Sequence, residues 1–149
     1  MNVVRTCRRL IFACLAVSAA SIVNSAEANF LVFFNAGSAE LTHEAQLLVG
    51  RALTEAKTQD HRIEVIGHDD GVLPDRQSLE LSQERALTTG QFLAKKGVQK
   101  ERIFIGGVGS NKPLVPTPKG VAVAQNRFVE IRFVPAIGGS IDPTLRPLK

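Results

Sequence analysis

The chain has no tryptophan, no tyrosine and a single methionine, and only two cysteines and three histidines among its 149 residues. Each scarcity closes off a class of function. Without tryptophan or tyrosine, and with no interleaving of basic and aromatic residues, no nucleic-acid partner is expected. Cys7 and Cys14 both fall within the first 28 residues. A chain that sheds that segment has no disulfide framework and no cysteine nucleophile. Ser38, Ser78, Ser82 and Ser110 lack the G-x-S-x-G elbow that exposes an activated serine. His43, His61 and His68 follow no ligand spacing, so neither a metal site nor a cofactor is expected. The apolar run from Leu10 to Val23 falls short of the ~20 residues a spanning helix needs.

What is present starts with an export signal. Arg5, Arg8 and Arg9 precede the apolar run, and small residues lead to Ala26-Glu27-Ala28, an A-x-A cleavage pattern. Residues 1–28 therefore read as a secretory signal peptide. Bulky Phe12 stands where a lipid-attachment site at Cys14 wants a small residue, although a membrane tether is left open. The net charge of +4 includes three arginines and one glutamate from this segment, so +2 remains beyond it.

The chain then alternates strand and helix. Phe30–Phe34 is a short apolar strand ending at Asn35-Ala36-Gly37-Ser38. Thr42 is placed to cap a helix whose Ala45, Leu48, Val49, Ala52, Leu53 and Ala56 recur at three and four. Arg62–Ile66 is a second strand, expected to be buried on one face and wet on the other. A second helix is predicted from about Gln77 to Lys96, with Gly90 packed against the sheet and Gly97 as its left-handed stop. Arg102–Ile105 is a third strand, and Phe128–Val134 is the last, with the cleanest alternation. The expected fold is α+β: a two-layer β-α-β-α-β sandwich with a final strand and with helices on one face of a mixed sheet. The domain is expected over 29–135, and the Gly/Pro-containing segment 136–149 as a flexible tail.

The chemistry gathers around Gly67-His68-Asp69-Asp70-Gly71 and Leu81-Ser82-Gln83-Glu84-Arg85-Ala86. An aspartate at a strand end holds an ammonium by charge-assisted hydrogen bonds, and an arginine early in a helix grips a carboxylate with two parallel donors. Asp70 and Arg85 thus suit a ligand carrying both groups side by side. The plainer alternative is that they pair with each other as a surface salt bridge, worth ~0–1 kcal/mol. Asp69 and Asp70 could serve as the two carboxylates of a glycosidase only if they flanked a bond, whereas adjacent residues at a strand end diverge.

These landmarks, with Ser38-Ala39-Glu40-Leu41, Gly97-Val98, Gly107-Val108-Gly109-Ser110 and Asn126-Arg127-Phe128-Val129-Glu130-Ile131, resemble the OmpA-like peptidoglycan-binding domain over about Phe30 to Val134. The resemblance implies a non-enzymatic protein of the periplasm or outer membrane. It implies non-covalent binding of peptidoglycan through the diaminopimelate of its stem peptide, linking envelope to cell wall. Carried over by motif, Asp70 takes the ligand's ammonium and Arg85 its carboxylate, while Arg127 and Asn35 border the pocket. His68, Asp69, Leu81, Ser82 and Asn126 support it. Three departures stand out. Asp69 replaces the family's usual threonine, Ser78 replaces an asparagine, and the segment Gly120–Phe128 is longer by two residues and has lost two arginines. The alternative these departures raise is an interaction module of the same fold, serving an envelope protein partner with wall binding weakened or lost.

Overall fold

The computed structural model describes residues 29–58, 60–136 and 142–149, so the expected signal peptide lies outside the described residues. Among the described residues five strands and two α-helices follow in order: β1 (Asn29–Phe33), α1 (His43–Thr58), β2 (His61–Gly67), α2 (Asp75–Lys95), β3 (Ile103–Gly107), β4 (Phe128–Pro135) and β5 (Arg146–Pro147). The sheet order is β1-β4-β2-β3-β5. β2 and β3 run parallel with α2 as their crossover, and the other pairings are antiparallel, which makes the sheet mixed as expected.

Alternation in the strands fixes which face meets the helices. Ile63 and Val65 of β2 lie in register with Ile103 and Ile105 of β3 and with Phe133 and Ile131 of β4. Together with Val32 these join Ala45, Val49, Ala52 and Ala56 of α1 and Ala86 and Leu93 of α2 in one buried cluster. Alanine on the α1 stripe lets that helix lie close to the sheet. Thr42 caps α1 as predicted, its Oγ1 accepting from Ala45 N at 3.2 Å. Gly97 closes α2 at φ 100°, with Val98 N donating to Leu93 O at 3.2 Å. α2 begins two residues earlier than expected, at Asp75.

Two expectations fail. The second face of β2 is not wet: Glu64 is buried there, held between Arg62 at 3.0 Å and Arg132 at 2.9 Å. The last residues are not a loose tail. Arg146 and Pro147 pair with β3, Leu148 N donates to Ile103 O at 2.9 Å, and the Leu148 side chain enters the core. Before that, Thr144 and Leu145 lie against Gly106, where an added Cβ would meet Leu145 Cδ2 at 2.6 Å. The segment thus forms the sheet edge beside β3, with Leu145 against Gly106 and Leu148 in the core.

Candidate functional site

At the C-terminal end of β2 the helix and sheet approach as closely as backbone allows. A Cβ on Gly67 would lie 1.8 Å from Ser82 O, and one on Gly107 would lie 2.4 Å from Ser82 Oγ. Ser82 uses that proximity: its Oγ donates to Leu79 O at 2.7 Å and accepts from Gly109 N at 3.0 Å. The inner face of α2 carries Ser78, Ser82, Arg85 and Thr89, all buried, so Arg85 enters the molecule beside the end of β2. Leu81 is also buried and belongs to the packing of α2.

Arg85 is wholly enclosed, with its side chain 0% exposed. Four of its five N–H donors are used: Nε to Ser38 O at 2.8 Å, Nη1 to His68 O at 2.8 Å and to Asp69 Oδ1 at 2.9 Å, and Nη2 to Asn35 O at 3.2 Å. Its guanidinium also lies 5.5 Å from the centre of the Phe34 ring. Burial pushes its pKa down and the Asp69 carboxylate pushes it back up. Asp69 Oδ2 is buried without a partner among the described residues.

Asp70 takes a different partner. Its Oδ2 accepts from Arg127 Nη1 at 2.8 Å, and its Oδ1 accepts from Val72 N at 3.3 Å. Arg127 also donates from Nε to Phe34 O at 3.3 Å, which leaves three of its five donors without a bond among the described residues. Its side chain is 15% exposed. Arg127 and Asn35 line a cleft of about 580 Å³ between the end of β1, the start of α1 and the Ala124–Asn126 turn. Phe33 and Phe34 supply its apolar wall.

The expectation that Asp70 and Arg85 face each other, open or mutually paired, is therefore corrected. Asp69 has taken Arg85 and Arg127 has taken Asp70, giving one sealed ion pair and one whose arginine lines the cleft. The physical reason is that three main-chain carbonyls converge on Arg85, from Asn35, Ser38 and His68, and Asp69 brings the counter-charge to the same depth.

The supporting residues hold the rim. His68 stacks on Phe128 with ring centres 4.0 Å apart, and its Nδ1 lies 2.9 Å from Lys112 O. Asn126 is buried and pins the 113–118 loop, accepting from Val115 N at 2.7 Å and donating to Val115 O at 2.9 Å. Ser78 Oγ, at the position where the family usually has asparagine, is buried with no partner among the described residues. Phe34, Ser38, Lys112 and Phe128 were not among the expected site residues. Three of them act through a main-chain carbonyl, for which a sequence carries no signal.

A model of the OmpA family matches residues 33–127. Outer membrane protein A of Bordetella avium is 28% identical over 117 residues, 78% of this chain and 58% of that protein. The peptidoglycan-binding protein ArfA of Mycobacterium tuberculosis is 26% identical over 111 residues, covering 74% of this chain and 34% of that one. The chain thus spans less than two thirds of the length of both. Among solved structures, the peptidoglycan-associated lipoprotein of Burkholderia pseudomallei superposes with a TM-score of 0.65 at 23% identity, covering 70% of this chain and 89% of that one.

Proposed function

This chain belongs to the OmpA family, and on that premise we propose that it binds peptidoglycan non-covalently, through the diaminopimelate of the stem peptide. The observation that carries the proposal is the Asp70–Arg127 pair, 2.8 Å apart and the more exposed of the two ion pairs, whose arginine lines the cleft. A diaminopimelate side chain ends in an ammonium and a carboxylate on one carbon. Such a headgroup opens the pair and satisfies both halves: its ammonium settles on Asp70, and its carboxylate meets the arginine side of the site. Charge-assisted bonds of this kind are worth about 1.5–3 kcal/mol each, enough to offset the pair that is broken. Asn35 and the Phe33–Phe34 wall flank the entering chain.

Asp69 is sealed against Arg85, so the site offers no second free carboxylate for paired-carboxylate chemistry, which supports a binding role over a catalytic one. The names of two relatives, a peptidoglycan-binding protein and a peptidoglycan-associated lipoprotein, support the same reading. It places the protein in the cell envelope, at the periplasmic face of the wall. The test is co-sedimentation with diaminopimelate-type sacculi. The protein is expected in the pellet, and Asp70→Ala in the supernatant at equal concentration; an Asp70→Ala protein that pellets fully removes this residue from the mechanism.

A second reading rests on the loops around the site. Val72, Leu114, Val115 and Val121 are all exposed there, which suits a protein partner in the envelope. Retention of an envelope protein by the immobilised chain, with no sedimentation on sacculi, would favour it.

A further inference from the structure

Of the two arginines, the structure assigns the ligand's side-chain carboxylate to Arg127, and makes Arg85 a positioning residue whose carboxylate seat Asp69 already fills. The assignment deepens the peptidoglycan reading above and rests on it.

Three observations converge. The first is donor supply. Arg85 has spent four of five N–H groups within the protein, whereas Arg127 has spent two. The second is access. Arg127 lines the cleft, and Arg85 is enclosed with a side-chain exposure of 0%. The third is charge balance. A ligand carboxylate taken up by Arg85 has to displace Asp69, whose side chain is only 2% exposed and whose Oδ2 is already without a partner. That leaves a buried carboxylate with no counter-charge, the most unfavourable state such a pair can enter. Opening Asp70–Arg127 leaves no charge alone, because one pair is exchanged for two.

Arg85 then acts at one remove. It ties the carbonyls of Asn35 and Ser38, beyond β1, to the carbonyl of His68, beyond β2. This sets the loop that carries Asn35 against the strand end that carries Asp70. Asp69 is the residue that determines specificity, because its charge keeps Arg85 out of ligand reading and leaves that task to Arg127.

The experiment is a titration of the purified protein with two soluble muropeptides. One carries diaminopimelate; the other carries lysine, which has the ammonium and lacks the neighbouring carboxylate. The protein is expected to prefer the diaminopimelate peptide by roughly tenfold or more, the worth of one charge-assisted bond. Arg127→Gln is expected to bring that ratio to about one. Adding Asp69→Asn to Arg127→Gln releases Arg85 and is expected to restore a preference of several fold. The ratio is taken within one protein, so a general weakening of the fold leaves it unmoved. Should Arg127→Gln not fold, Arg127→Lys, which keeps the charge and loses the fork, is expected to cut the ratio at least about threefold. A preference retained in Arg127→Gln overturns the assignment and leaves wall binding standing. Failure of the unsubstituted protein to bind either peptide overturns both.

Discussion

Arg85 is held by four polar partners and could be mistaken for a ligand contact by mutation alone. Replacing it with alanine strands Asp69 as a buried carboxylate, which costs about 3–5 kcal/mol. Arg85→Ala is therefore expected to melt far below the parent protein, and Asp69→Asn in the same chain to recover part of that loss. Thermal unfolding of the two single variants and the double variant checks this, and additive losses would mean that the pair is not coupled. His68 provides a second residue-scale prediction. Burial lowers its pKa from 6.5 to about 4, with the Lys112 carbonyl opposing and the charges of Lys112 and Arg132 assisting. In the unfolded chain the ring takes a proton near its ordinary value; in the folded one it stays neutral until about pH 4. The unfolded state thus binds more protons across that window. Stability is complete above about pH 6.5 and is lost as pH falls towards 4, by a few kcal/mol. Denaturant unfolding at pH 7 and pH 4.5 is expected to show this slope in the parent, and His68→Phe, which keeps the stack on Phe128, is expected to flatten it.

At the scale of elements, the site depends on how closely α2 lies on β2 and β3. Gly67→Ala places a methyl 1.8 Å from the Ser82 carbonyl oxygen, so the helix must shift. A loss of about 3 kcal/mol is expected, together with loss of the Arg85 and Gly109 contacts that α2 positions. Normal stability in Gly67→Ala, by calorimetry, would contradict this packing. Most of these elements are legible in the sequence, because alternation in Phe128–Val134 and the three-four spacing of Ala45, Val49, Ala52 and Ala56 are strong periodic signals. The depth of Arg85 was not legible: Ser78, Ser82, Arg85 and Thr89 form a polar seam at helical spacing, which by pattern alone reads as a solvent-facing stripe, and only the fold turns it inward. Which aspartate meets which arginine was not legible. Arg85 lies 16 residues from Asp69 and Arg127 lies 57 from Asp70, and only the fold decides those partners. β5 escaped notice because two residues are too few to show alternation. Leu148, a single apolar residue beside Gly90, nevertheless fills core volume. Leu148→Ala is expected to cost about 2–5 kcal/mol in an unfolding titration; a change under half a kcal/mol would show that the C-terminal segment does not dock.

For the molecule as a whole, the sheet supplies a base whose strand ends and loops present one sealed ion pair and one that is more exposed. On the proposed function, the sealed pair fixes geometry and the pair at the cleft exchanges partners to read a zwitterion. That division makes a specific claim about what releases the protein from the wall. Free diaminopimelate, in excess, should compete for the Asp70–Arg127 pair and move the sacculus-bound protein into the supernatant, while lysine at the same concentration should displace far less. Protein that stays on the sacculi at saturating diaminopimelate, or that lysine releases equally well, would contradict the account.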